Sequence, residues 1–487
     1  MNILFVTPEC APWVKTGGLG DVCGALPKAL HAFGHEVRVL IPLIKSLAPL
    51  VETAEQSWTL PARSPWPPAR LLLVRQQGLT LWLLDCPALY DRPCGPYVDS
   101  EGHDFIDNAE RFGFLSQVAA MLSSAGTPCP EWPVDVLHGH DWTTALAPAY
   151  LSQRAGPRAA TVLTIHNLLF QGNFPLYLAR RLDIPASWME VERGLLHWDQ
   201  LCFLKAGLFH AGMLTTVSPT YAREIQQEPE GCGLEGVLRL RQADLVGILN
   251  GIDTSIWQPA NDKLIAAPYD ASTLHLKADN KAALQERMGL QADKDAMLFG
   301  LVSRLTSQKG IELVLRILPE LMESGCQLCV LGAGEKALET ELAGAALAYP
   351  GRLTVRIGFD EDLAHLVEAG SDAFLMPSLF EPCGLSQMYS QAYGTPPIVH
   401  AVGGLADSVT HDVSGLGDGF SFNEPTPQAF LKAVREAQAA YADQPRWQRI
   451  QSNAMALDRG WHASAQRYVE VYRAAIDHAA ATDRAAA

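Results

Sequence analysis

MNILFVTPECAPWVKTGGLGDV, residues 1–22, decides the fold. It opens as a short apolar run of strand formers and breaks at Pro8 and Pro12. It then delivers Lys15, the glycines Gly17, Gly18 and Gly20, and Asp21. The stretch GALPKALHAFG (24–34) that follows reads as a helix closed by a glycine. Strand, glycine-rich turn and helix begin a βα unit. In doubly wound α/β folds, ligands bind outside the carboxyl ends of the strands, beside helix N-termini. Bare backbone at the three glycines lets N–H groups approach an oxyanion, and Lys15 supplies charge. The dinucleotide fingerprint fails here, because from Gly18 the pattern runs G-L-G-D-V-C without a third glycine in place. A turn that only lets strand and helix pack is the plainer alternative.

The same alternation continues along the chain. Strand candidates in the first half are EVRVLIPL, LWLLD, VDVLHGHD, TVLTIHN and MLTTVS; the second half offers VGILNG, AMLFGLVSR, QLCVLG, LTVRIGF, AFLMPS and PPIVHAVG. Most are continuous apolar runs, as parallel strands covered on both faces require. The helical stretch IELVLRILPELMESG (311–325) again closes on a glycine. The strands are too many for one sheet, so two doubly wound domains are expected, divided near Leu249–Gly251. The alanine-rich tail after Ile476 is the one low-complexity segment.

A chain of 487 residues needs more than one core. Apolar content of 48% with 18% charged residues is that of a soluble globular enzyme. A net charge of -16 argues against nucleic-acid or anionic-membrane partners and means an anionic ligand needs a locally positive pocket. No apolar run reaches a spanning length, and no basic segment with a long apolar core opens the chain. The ten cysteines are scattered, which predicts reduced thiols in a cytoplasmic protein. Cys326 and Cys329 form a C-x-x-C, but on a strand they point to opposite faces and make a poor metal site.

Three further loops carry chemistry. LVSRLTSQKG (301–310) follows a strand and presents Arg304 and Lys309; two cationic strand-to-helix loops, one per half, suit a diphosphate, although each alone reads as solvated surface charge. SLFEPCGLSQ (378–387) places Glu381 in a loop ahead of Cys383, Gly384 and Leu385 at the start of a helix. A carboxylate there can offset positive charge at an anomeric carbon, or it can simply complement a helix dipole. GGLAD (403–407) adds one more glycine-rich turn.

Together with HGHDW (138–142), TIHNLLFQG (164–172), FLKAGL (203–208), TTVSPTYAREI (215–225), LNGID (249–253) and LGAG (331–334), these motifs run through nearly the whole chain. In this order they resemble the bacterial glycogen synthase and plant starch synthase family of retaining glycosyltransferases. The resemblance implies a GT-B type α/β fold: two facing Rossmann-like domains with a deep interdomain cleft. Residues 1–248 would be the acceptor side, 249–460 the nucleotide-sugar side, and 461–487 a helix returning to the first domain plus the tail. It implies glucose transfer from ADP-glucose to an α-1,4-glucan with retention, and no metal or other cofactor. By position, Lys15, Gly17 and Gly18 would hold the donor, with Asp21 ordering them or touching it. Arg304 and Lys309 would neutralise the departing diphosphate, and Glu381 would stabilise the oxocarbenium-like transition state. His166 would lie against the transferred glucose, Asn250 on a sugar hydroxyl, and Asp141 beside the acceptor. Cys383, Gly384 and Leu385 would offer backbone, and Phe359 would stack the base.

Three positions depart from the wider pattern: Tyr389 where a second glutamate often stands, Phe359 for tyrosine, and Ser386 for threonine. Rival readings are a UDP-glucose or small-acceptor relative, a silent glucan-binding protein, and a phosphorylase, which needs a pyridoxal phosphate lysine. Two motifs point elsewhere. His138 and His140 share a strand face at metal-ligand spacing. Gly332, Gly334 and Ala337 form G-x-G-x-x-A, with Asp360 further on, the best case for an NAD oxidoreductase.

Overall fold

The computed structural model describes residues 1–192 and 194–486, the side chains of 483–486 aside. The opening run forms β1 (Asn2–Val6), with Ile3 to Val6 fully buried. Around it lie β2 (Glu36–Pro42), β3 (Gln56–Leu60), β4 (Ala69–Gln76), β5 (Leu79–Asp85), β6 (Val136–His140) and β7 (Ala160–Ile165). Three short strands, β8 (Asn173–Phe174), β9 (Leu196–His197) and β10 (Gln200–Cys202), form a small antiparallel sheet of their own. β11 (Met213–Thr216) and β12 (Leu245–Gly247) complete the first large sheet, ordered β12-β11-β7-β6-β1-β2-β5-β4-β3.

Pairing is parallel from β12 to β5, and the β5-β4-β3 edge is an antiparallel ribbon. β3 of that ribbon escaped the search for buried runs: it is half exposed along its length, with only Leu60 buried. VGILNG, expected to open the second half, instead gives β12 and pairs with β11 in the first sheet. The chain leaves β1 toward β2 and β5, then returns to the other side through β6. β1 is thus the point where strand order reverses, and the turns after β1 and β6 lie next to each other there.

By contact the chain divides into one unit of Met1–Gly251 with Trp461–Ala487, and a second of Ile252–Gly460. The helix His462–Ala486 belongs to the first unit, where Ala465, Tyr468, Tyr472 and Ala475 enter the core. Ser464 Oγ donates to Leu249 O at 2.5 Å, tying the helix to the end of the first segment.

The second unit holds β13 (Leu298–Val302), β14 (Gln327–Gly332), β15 (Leu353–Ile357), β16 (Ala373–Met376), β17 (Pro397–His400) and β18 (Phe420–Phe422). All pair in parallel, in the order β15-β14-β13-β16-β17-β18. Alternate residues of β14 enter different cores: Leu328 and Val330 on one face, Cys329 and Leu331 on the other. Cys326 and Cys329 accordingly sit in separate clusters. Here the order reverses at β13, so the turns after β13 and β16 are neighbours.

Candidate active site

In the first unit the turn after β1 is built around Glu9, a residue that sequence reasoning missed. Its carboxylate is buried and accepts from Thr16 N at 2.6 Å, Thr16 Oγ1 at 2.6 Å and Tyr97 Oη at 2.6 Å, and more weakly from Gly17 N at 3.3 Å. A lone acid one residue past a proline at a strand end was the available signal. Only the first part of KTGGLGDV is loop: the helix starts at Gly18, so Gly18, Gly20 and Asp21 occupy its first turn. Gly20 is a packing glycine, since a Cβ there would meet Val14 O at 3.0 Å. Gly17 is different. Its φ of −167° suits any residue, and a Cβ would have nothing within 4 Å. Neither conformation nor packing demands glycine there. Lys15 Nζ pairs with Asp21 at 2.9 Å beside it.

The turn after β6 holds Asp141 in a backbone region, φ 56° and ψ −171°, that side chains rarely occupy and that costs about 1–3 kcal/mol. Its Oδ1 accepts from His166 N at 2.7 Å and Asn167 N at 3.4 Å, which joins the turns after β6 and β7. Burial pushes the Asp141 carboxyl up to about 7, against those two N–H donors. Burial also lowers His166 to about 3, so the ring is neutral and offers hydrogen bonds, not charge. Its Nε2 lies 3.0 Å from His140 Nδ1. His138 turns inward to Tyr472 Oη at 2.9 Å and Thr164 Oγ1 at 2.6 Å. Among the described residues no group of three or more His, Cys, Asp or Glu is placed to hold a metal ion. Asn250 lies in the first unit, past β12, buried and with its Oδ1 unbonded among the described residues.

In the second unit the turns after β13 and β16 meet through side chains. Lys309 Nζ stands 2.5 Å from Glu381 Oε2, and both side chains are largely buried, at 17% and 8% exposure. Ser378 Oγ donates to the same carboxylate oxygen at 3.0 Å. His400 supports Ser378 from behind, its Nδ1 2.8 Å from Ser378 O. Gly310 lets this close approach occur: its φ is +67°, and a Cβ would fall 2.0 Å from Pro377 O. The GGLAD turn clamps the backbone of Glu381, with Gly404 N donating to Glu381 O at 3.1 Å. Gln387 finishes the clamp, donating toward Cys383 O at 3.1 Å and Gly384 O at 3.0 Å. Leu385 is the N-cap residue of the helix Ser386–Ala392. Ser378 and Gln387 stand at the two ends of SLFEPCGLSQ and His400 in the strand run PPIVHAVG, but none of the three was assigned a role there.

Two other expected members are solvent-exposed. Arg304 is exposed on the β13 turn. Phe359 follows β15 at the sheet edge and is 81% exposed. Tyr389, where a second acid often stands, stacks on Trp257 at 3.8 Å and 13° and is core. The G-x-G-x-x-A turn is also structural. A Cβ on Gly332 would lie 1.9 Å from Ser303 O, and on Gly334 2.2 Å from Leu305 O. Glu339 Oε1 accepts from Gly334 N at 2.9 Å, putting a carboxylate where a pyrophosphate would sit. Asp360 caps its own helix through Leu363 N at 2.9 Å.

Two doubly wound units in one chain, each with charged turns at its reversal point, match the architecture of the GT-B class of glycosyltransferases. Comparison with known proteins narrows this. The starch synthase catalytic domain family matches residues 2–240, and glycosyl transferases group 1 matches residues 284–454. The chain is 51% identical to the glycogen synthase of Aromatoleum aromaticum over 487 residues, 99% of this chain and 98% of that one. It is also 51% identical to the glycogen synthase of Dechloromonas aromatica, covering 98% and 99%. The catalytic domain of starch synthase IV from Arabidopsis thaliana, bound to ADP and acarbose, superposes with a TM-score of 0.87 at 28% identity, covering 98% and 99%. A sucrose-phosphate synthase from Thermosynechococcus elongatus shares the fold, with a TM-score of 0.59 at 17% identity, over 97% and 98%. The chain belongs to the glycogen and starch synthase family.

Proposed function

We propose that the protein is a glycogen synthase that transfers glucose from ADP-glucose to the non-reducing 4-hydroxyl of an α-1,4-glucan with retention. The observation that carries this is the Lys309–Glu381 pair at the reversal point of the second sheet. A ligand diphosphate would compete for the Lys309 ammonium and leave the Glu381 carboxylate to face the anomeric carbon as positive charge develops. The C1–phosphate bond breaks, the C1–O4 bond forms, and the 4-hydroxyl proton passes to a leaving phosphate oxygen. With Tyr389 stacked in the core, the position where a second acid often stands offers none to share the work of Glu381. Arg304 and Lys309 supply charge from the second unit. Lys15, with the bare backbone at Gly17, supplies it from the first, so the scheme uses side-chain cations and no metal or cofactor. Neutral His166 contacts the sugar, Asn250 takes a hydroxyl, Asp141 orients the His166 turn on the acceptor side, and Phe359 stacks either base.

Among the described residues no helix is long and apolar enough to cross a membrane, and no cysteine is disulfide-bonded. The cytoplasm is the setting we propose. The test is label incorporation into glycogen from ADP-glucose and UDP-glucose, with NAD and phosphate as controls. The expected preference is ADP-glucose by roughly tenfold in kcat/KM, about 1.4 kcal/mol. Equal rates would defeat the donor assignment. Absence of glucan synthesis with either donor would defeat the transferase reading.

A further inference from the structure

The first unit carries an aromatic that its own fold does not explain. The β9–β10 hairpin turns through Trp198 and Asp199, both left-handed at φ 47° and 57°. Such a turn favours Asn-Gly, and a bulky residue in it is strained. Trp198 occupies it while 74% exposed. Its ring stacks at 4.4 Å and 23° on His197, and its edge lies against Gly233, where a Cβ would meet Trp198 Cζ2 at 2.7 Å. Trp198, His197, Val191, Glu192, Gly233 and Glu235 help wall a surface cavity of about 390 Å³, within the size range of small-ligand sites.

The wall is fixed. Lys205 Nζ donates to Val191 O and to Leu196 O, the latter at 2.6 Å, which fixes the two segments to each other. Gln171 Nε2 donates to Cys232 O at 2.9 Å, joining the cavity to the turn that carries His166. Two polar atoms of the lining, His197 Nε2 and Glu235 Oε2, are buried with no hydrogen-bond partner among the described residues. Glu192 and Glu235 supply carboxylate acceptors to the described lining, which also holds Lys205. A flat aromatic beside carboxylate acceptors suits a neutral polyhydroxyl ring, whose C–H face stacks and whose hydroxyls donate.

We propose that this cavity binds glucosyl units of an α-linked glucan, with Trp198 as the stacking platform; the occupant follows from the transferase reading above. The experiment is glycogen affinity electrophoresis without nucleotide sugar, on wild type, Trp198→Ala, Trp198→Phe and Glu235→Gln. Label transfer from ADP-glucose and solution mass are measured on the same preparations. The expected result is about tenfold weaker glycogen binding in Trp198→Ala, most of it restored in Trp198→Phe, with a smaller loss in Glu235→Gln. Equal glycogen affinity in wild type and Trp198→Ala overturns the site even when transfer is normal. A wild-type mass double that of Trp198→Ala also overturns it, assigning Trp198 to contact between copies. Wild type that binds glycogen through Trp198 but transfers no glucose defeats the transferase reading and leaves the site standing.

Discussion

Two turns with the same ground plan, a strand, a glycine-rich stretch and a helix, have opposite physical character. In LGAGEKA the glycines are pressed onto the backbone of Ser303 and Leu305, and Glu339 occupies the Gly334 N–H. In KTGGLGDV, Gly17 is extended with open space over it, Glu9 holds the turn from below, and a lysine stands alongside. Glycine spacing therefore does not identify a ligand turn; what lies over the missing Cβ does. A similar distinction separates the cations. Lys205 donates to backbone carbonyls, whereas Lys15 and Lys309 each rest on a single named carboxylate, Asp21 and Glu381.

If the second unit works through its β16 turn and not through LGAGEKA, Glu381→Ala should cost about 10²–10³ or more in kcat with the fold retained. Near-normal turnover would reduce Glu381 to a structural partner of Lys309. Lys15→Ala should lose one to two decades in rate, from a charge-assisted contact worth roughly 1.5–3 kcal/mol. Lys15→Arg should recover only part of that, because a planar fork does not replace a compact ammonium. A silent Lys15→Ala would make the first turn a packing device after all.

The glycines offer the direct contrast. Gly332→Ala forces a Cβ onto Ser303 O and should destabilise by about 1–3 kcal/mol in denaturant unfolding. Gly17→Val should leave the unfolding free energy within about 0.5 kcal/mol of wild type and impair transfer. Reversed outcomes would exchange the roles of the two turns.

The smallest effect is a slope. The Asp141 carboxyl is raised to about 7 in the fold from an ordinary 3.8, so the unfolded chain ionises first as pH rises. Between those values the folded state binds more protons, and stability falls with increasing pH. Asp141→Asn keeps an oxygen for the His166 and Asn167 N–H groups and should flatten thermal stability between pH 4 and 7. An unchanged slope would remove Asp141 as its source.

Most parallel strands were legible in sequence because strands buried on both faces are continuous apolar runs, and Lys309 and Glu381 stood in motif-bearing turns; the strand order and its reversal points came only with the fold. β3 was not legible, since an edge strand with one wet face lacks that signal, whereas β4 carries the buried run Leu71–Val74 and was overlooked. Glu9, Ser378 and His400 were hidden for another reason: each acts by bonding a neighbour that only the fold brings near. Gly20 and Gly334 look like Gly17 in sequence, and space alone separates them.

The helix after residue 461 bears on biosynthesis. Tyr472 meets His138 across 334 positions of sequence, so the first unit's core lacks a wall until the last part of the chain has been translated. The second unit, continuous from Ile252 to Gly460, is synthesised in full before that helix. Order of synthesis and order of completion are therefore inverted. A chain truncated after Gly460 would keep all of the second unit and leave the first one open, exposing the β6–β7–β11 surface that the helix carrying Tyr468 and Tyr472 covers.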